Sequence, residues 1–97
     1  VKFILVDRKP VEVNTQEWLS ALTNSNWIVA REEVSPGIEV STIFTGLGHD
    51  TIAGPPKLFE TMVIGGPNDL DTRRYATWEE AEIGHREVVE QQRAVAA

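Results

Sequence analysis

From Ile38 to Leu47 the chain alternates with a period of two. Ile38, Val40, Thr42 and Phe44 fall on one side of an extended strand; Glu39, Ser41, Ile43 and Thr45 fall on the other. The first set is a core face. The second is mixed, which fits a sheet with one side open or bearing a ligand. Before this run comes Trp27–Val34, also rich in β-branched residues, and Ser35-Pro36-Gly37 joins the two as a tight turn. Together they predict a β-hairpin at the centre of the fold.

The other elements arrange themselves around that hairpin. Lys2–Val6 and Val11–Val13 are β-rich runs separated by Asp7-Arg8-Lys9-Pro10, a turn-forming tetrapeptide, and predict an opening hairpin. Asn14, with Glu17 three residues on, makes a capping box for a short helix over Thr15–Asn24, with Trp18, Leu19, Ala21 and Leu22 on one side. Leu58–Ile64 reads as a further strand, stopped by Gly65-Gly66-Pro67-Asn68-Asp69, and Asp69–Arg74 as a polar connection. Thr77-Trp78-Glu79-Glu80 is a second capping box. It opens a long helix from Trp78 to about Val95, with Trp78, Ala81, His85, Val88, Val89, Gln92 and Val95 on one stripe. Ile83 lies off that stripe and is a candidate subunit contact.

This order predicts a single α+β domain spanning residues 1–97: a mainly antiparallel sheet of about five strands, a short helix after the first hairpin, and a long C-terminal helix packed on one face. The 9 basic and 15 acidic residues give a net charge of −6, which disfavours a grip on long DNA or RNA. A small phosphorylated ligand needs only a few local cations and backbone amides, so it stays open. The chain has no cysteine, which excludes disulfides and thiolate metal sites and is compatible with a reducing cytoplasm. The apolar run Val1–Val6 is too short to span a membrane.

Few side chains offer chemistry. His49-Asp50 follows the glycine-rich Gly46-Leu47-Gly48 and reads either as a ligand-contacting imidazole beside a carboxylate or as a polar turn. His85, among the apolar residues of the last helix, reads either as a ligand or as a hydrogen-bonded core residue. Gly84 beside it costs a helix roughly 1 kcal/mol relative to alanine, so something approaches closely there, either a ligand or another strand. Arg73-Arg74-Tyr75 supplies two guanidinium groups and a ring suited to phosphates and bases, with salt bridges to Asp69, Asp71 and Glu79 as the plain alternative. In an extended segment the two arginines point to opposite sides, so one of them serves any one site. Lys57 adds a cation. The three tryptophans, Trp18, Trp27 and Trp78, are mostly core, with room for one at a rim. A metal set of His49, His85, Asp50 and Glu60 is conceivable, but no local ligand spacing organises it, and nucleophile-elbow, dinucleotide and P-loop motifs are absent.

The block from about Val40 to His85 resembles a family of small proteins of phages, prophages and related bacterial genomes. The resemblance rests on Ser41-Thr42-Ile43-Phe44-Thr45-Gly46-Leu47-Gly48-His49, on Gly54-Pro55-Pro56-Lys57-Leu58-Phe59-Glu60-Thr61-Met62-Val63-Ile64-Gly65-Gly66, and on Arg74 to His85 with its Thr77-Trp78-Glu79-Glu80-Ala81 core. It covers about half the chain. Gly48 departs from the pattern, which has an acid before the histidine. The resemblance brings no enzymatic activity and no cofactor. It implies a phage-type accessory protein of the host cytoplasm that interferes with defence, either by sequestering a small signalling nucleotide or by binding and inhibiting a host protein.

Combined with the residue reading, the expectation is a homo-oligomeric, membrane-free protein that binds a small anionic, nucleotide-like ligand without cleaving it. Gly46, Gly48, Gly65 and Gly66 would offer backbone amides, Lys57, Arg73 and Arg74 charge, and His49, Asp50 and Tyr75 contacts to base or ribose, all converging at one sheet edge. A metal-assisted nucleotide hydrolase built on His49 is the third reading.

Overall fold

A computed structural model describes residues 1–24, 27–48 and 55–96. The chain is α+β, with six strands in two antiparallel sheets and two helices. Strands β1 (Lys2–Val6) and β2 (Lys9–Val13) form a two-stranded sheet, and α1 (Thr15–Asn24) follows. Strands β3 (Ile28–Ser35), β4 (Ile38–Phe44), β5 (Phe59–Ile64) and β6 (Thr72–Tyr75) form a four-stranded meander in that order, and α2 (Trp78–Ala96) closes the chain. The sixth strand is the departure from the sequence reading: Thr72–Tyr75 is a strand, not a connection. Its residues pair with Phe59–Met62, and that pairing, more than local propensity, makes it extended.

Local chemistry fixes the ends of the elements. Asp7 and Arg8 both have positive φ (51° and 67°), the backbone that a two-residue hairpin turn matching strand twist demands. The strain falls on two non-glycine residues, and the Arg8 guanidinium lies over the Trp78 ring at 5.0 Å, tying the turn to the start of α2. At α1 the capping box closes both ways, Glu17 N–H donating to Asn14 Oδ1 (2.8 Å) and Asn14 N–H to Glu17 Oε1 (3.3 Å). At α2 it is half closed. Glu80 N–H donates to Thr77 Oγ1, and the Thr77 hydroxyl donates to Glu80 Oε1.

The alternation of β4 becomes the two sides of the sheet. Ile38, Val40, Thr42 and Phe44 are buried beneath α2, while Glu39, Ser41 and Ile43 are only half-buried on a side that no helix covers. Two apolar clusters lie under α2. Ile38, Val40, Val63, Val88 and Val89 sit beneath its C-terminal half; Phe44, Leu58, Phe59, Tyr75 and Ala81 sit beneath its N-terminal half. Phe59 is the hub of the second cluster, with Phe44 at 5.1 Å and Trp78 edge-on at 6.3 Å. Between the clusters runs a buried polar layer of Thr42, Thr61 and His85. The predicted helical stripe holds except at its end, where Val95 is exposed. On α1 the apolar side is only half used: Leu19 and Leu22 are exposed.

The first hairpin docks on the segment after β4. Phe3 N–H donates to Gly46 O (2.7 Å), Gly48 N–H donates to Val1 O (2.8 Å), and Lys2 bridges Leu47. Gly46 has φ +68°, and a Cβ there would stand 2.5 Å from the Phe3 carbonyl oxygen and 2.7 Å from Trp18 Nε1. Gly46→Ala is therefore expected to loosen the hairpin at a cost of about 1–3 kcal/mol. Amide hydrogen exchange should speed up at Phe3 and Gly48 while the β4–β5 amides stay protected, and uniform protection throughout would refute this docking.

Candidate functional site

The two glycine loops do not converge. Gly46 and Gly48 follow the end of β4 that lies beside Phe59, whereas Gly65 and Gly66 follow the end of β5 that lies beside Glu39. The length of β5 separates them, on the order of 20 Å. Two of their amides are moreover already engaged within the chain. Gly48 N–H serves the β1 docking, and Gly65 N–H donates to Asp69 Oδ1 (2.6 Å). The glycines of the second loop are there for space: a Cβ on Gly65 would overlap the Gly37 carbonyl, and one on Gly66 would press into the Ile38 side chain.

Arg73 and Arg74 point to opposite sides of the sheet, as alternation requires. Arg73 lies on the helix side, paired with Glu87 (2.9 Å) and 5.8 Å from the Tyr75 ring. Arg74 lies on the open side, where its Nε meets Glu60 Oε2 at 3.1 Å. The arginine partners are thus Glu87 and Glu60, not Asp69, Asp71 or Glu79. Tyr75 is buried beneath Gly84, and its ring is part of the core, so it offers no face to a base. The close approach implied by the helix glycine is made by a strand residue.

Of the expected ligand residues the structure brings two side chains together. Lys57 and Arg74 line one cleft of ≈ 160 Å³ with Thr45, Leu47, Phe59 and Glu60, at the end of the sheet where β4 stops and β5 begins. Thr45 fixes its floor, since both its N–H (2.7 Å) and its hydroxyl (2.9 Å) donate to Leu58 O. Gly46 and Gly48 adjoin the cleft in sequence, interleaved with Leu47. Gly65, Gly66, Arg73 and Tyr75 lie elsewhere, and His49 and Asp50 lie outside the described residues. Thr45 is the residue that sequence reading missed, and Glu60 enters there only as a conceivable metal ligand, not as a member of this cleft. Glu60 and Arg74 are direct cross-strand neighbours, a relation that appears only once Thr72–Tyr75 is paired as a strand.

Among the described residues the charge of the cleft is two cations and one carboxylate. Among the described residues no acid pairs with Lys57, and Arg74 uses only Nε on Glu60, so its terminal nitrogens have no acceptor among those residues. No serine, cysteine or histidine lines the cleft among those residues. The four-residue metal set does not assemble as imagined. His85 lies under α2 and Glu60 on the opposite side of the sheet, and no group of three His, Cys, Asp or Glu side chains gathers among the described residues. His85 instead bonds through Nδ1 to Thr42 Oγ1 (2.7 Å), and burial lowers its pKa below 6.5 despite the opposing Glu32 carboxylate. Trp27 is 37% exposed, Trp18 and Trp78 are half-buried, and none of the three lines this cleft.

No family model, curated protein or solved structure matches the chain. Among the described residues no helix is long and apolar enough to cross a membrane.

Proposed function

We propose that the protein binds a small phosphate-bearing, nucleotide-like anion at the Lys57–Arg74 cleft and retains it without chemical change. The observation that supports this reading is the meeting of those two cations, from separate stretches of chain, around a single acid. Lysine contributes a compact charge and arginine a planar fork, the complementary pair for a phosphate or diphosphate. The unengaged terminal nitrogens of Arg74 supply the fork. Retention rather than turnover fits the lining, whose carboxylate is already committed to Arg74 and whose hydroxyl is committed to a backbone carbonyl. In the phage setting implied by the resemblance, such a protein acts as a sponge in the host cytoplasm, withdrawing a signalling nucleotide from the defence that it triggers.

Calorimetric titration with pyrophosphate, ADP-ribose and a panel of cyclic dinucleotides tests the reading. At least one probe should bind and be recovered intact by mass spectrometry. Arg74→Ala and Lys57→Ala should each weaken it about tenfold or more, the loss expected for a charge-assisted contact. Arg73→Ala, on the other side of the sheet, should leave affinity unchanged. Absence of heat with every probe at millimolar concentration, or an equal loss in Arg73→Ala, would sink the assignment.

A further inference from the structure

A second cleft, of ≈ 170 Å³, opens on the helix side of the sheet, where the C-terminal half of α2 passes over β5 and the start of β6. Val63 and Val88 give it apolar walls, 2% and 4% exposed. Its polar lining is short of donors. Gln92, 5% exposed, donates from Nε2 to Asn68 Oδ1 (3.3 Å), and its Oε1 has no hydrogen-bond partner among the described residues. A buried amide oxygen in that state is uncommon and disfavours folding. A leucine would fill the same space without the penalty, so packing alone does not call for a glutamine here.

Asp71 supplies a second acceptor. Its N–H donates to Asn68 O (3.0 Å) and its C=O accepts from Val63 N–H (2.9 Å), while no cation pairs with its carboxylate among the described residues. Gln92 and Asp71 are thus tied to one residue, Asn68, the first through its side chain and the second through its backbone. Arg73 lines the same cleft, but its charge is met by Glu87 at 2.9 Å, and the Thr61 hydroxyl is shared with Thr42. Two acceptors without donors, in a chain of net charge −6, suit a ligand that is positively charged and rich in N–H. No group of three His, Cys, Asp or Glu side chains gathers among the described residues, which favours an organic cation over a metal ion.

We propose that this cleft takes a small aliphatic ammonium ion, its N–H groups on Gln92 Oε1 and the Asp71 carboxylate and its methylenes against Val63 and Val88. An ammonium group donates and never accepts, which matches the two unpaired acceptors. A short alkyl stem lies along apolar walls as the stem of a lysine side chain does. The proposal does not depend on the anion reading, which concerns the opposite side of the sheet and the opposite charge.

Calorimetric titration of the full chain with n-butylammonium and putrescine at neutral pH tests this, with tetramethylammonium as a cation that carries no N–H. Both primary ammonium ions should bind, and tetramethylammonium should bind about tenfold more weakly or worse. Asp71→Asn, which leaves the backbone bonds of that residue in place, should weaken n-butylammonium about tenfold, and Gln92→Leu should do the same. Glu12→Gln, which removes an equal charge from the exposed side of the first hairpin, should leave affinity unchanged. In ¹H–¹⁵N spectra of the wild type the side-chain amide of Gln92 should shift on titration, a readout that general charge screening does not move. No heat with either primary ammonium ion at millimolar concentration, equal binding of tetramethylammonium, an equal loss in Glu12→Gln, or a Gln92 amide that stays still would each overturn the proposal. So would a crystal structure grown with putrescine that shows ordered water alone in the cleft.

Discussion

Gly84→Ala is expected to destabilise the protein by about 1–3 kcal/mol and to lower its melting temperature by roughly 5–20 °C. The sign is the informative part, because propensity alone predicts the reverse: alanine in a helix interior is favoured over glycine by about 1 kcal/mol. Two observations decide against propensity. Gly84 is buried on the sheet side of α2, and a Cβ there would overlap the ring and hydroxyl of Tyr75. That ring has nowhere to retreat, since Tyr75 is 8% exposed and packed among Phe44, Phe59 and Ala81. Either α2 lifts from β6 or the ring leaves its rotamer, and both outcomes loosen the second apolar cluster. A double-mutant cycle isolates the cause. In a Tyr75→Leu background, Gly84→Ala should cost less by about 1 kcal/mol or more, an interaction energy that only contacting residues show. Urea denaturation measures both. A rise in stability for Gly84→Ala, or strict additivity with Tyr75→Leu, would refute the ring-under-glycine packing.

That glycine also shows where sequence reading stops. Features decided by neighbours in the chain were legible. The period-two run of β4 announces one buried and one open face, and Asn14 with Glu17 announces α1 to the residue. Features decided by a distant partner were not. Thr72–Tyr75 carries two arginines and follows Asp69 and Asp71, so its extended state is visible only from its pairing with β5. A glycine says that space is needed but not who takes it. Gly65, Gly66 and Gly84 make room for Gly37, Ile38 and Tyr75 of the same chain. Half of the cleft was legible for the same reason. Lys57 and Arg74 stand out as cations by type, whereas Glu60 and Thr45 join them through the β4–β5–β6 register and through the bonds of Thr45 to Leu58 O. On α1, Leu19 and Leu22 follow the helical pattern and yet are exposed.

The polar layer between the two clusters supports the second large effect. Thr42 and Thr61 are cross-strand partners, 0% and 1% exposed, and their hydroxyls meet at 2.5 Å. His85 adds its Nδ1 to Thr42 from the helix above. Whichever ring nitrogen holds the proton, Thr42 is the shared member, so Thr42→Val strands two buried polar groups at nearly constant volume. The expected cost is about 2–4 kcal/mol, because an unsatisfied buried group loses its full desolvation free energy. Thr42→Val with Thr61→Val should cost less than the separate losses imply, since one of the stranded groups is then gone. The same layer makes stability depend on pH. The groups that act on His85 among the described residues are the Thr42 hydroxyl from β4 and the Glu32 carboxylate from β3. Burial lowers the His85 pKa in the folded state below the 6.5 of the unfolded chain, with Glu32 opposing in part. Between those two values the unfolded chain binds more protons, so stability rises with pH there, is complete above about 6.5, and falls as pH drops through the folded value. Denaturant midpoints should therefore be flat from pH 8 to 7 and decline on acidification below about 6.5, before most carboxylates titrate. His85→Asn keeps a hydrogen-bonding group beside Thr42 and cannot titrate, so its profile should stay flat down to about pH 5.5. A wild-type profile already flat over that interval, or the same decline in His85→Asn, would show that some group other than this histidine sets the acid limit.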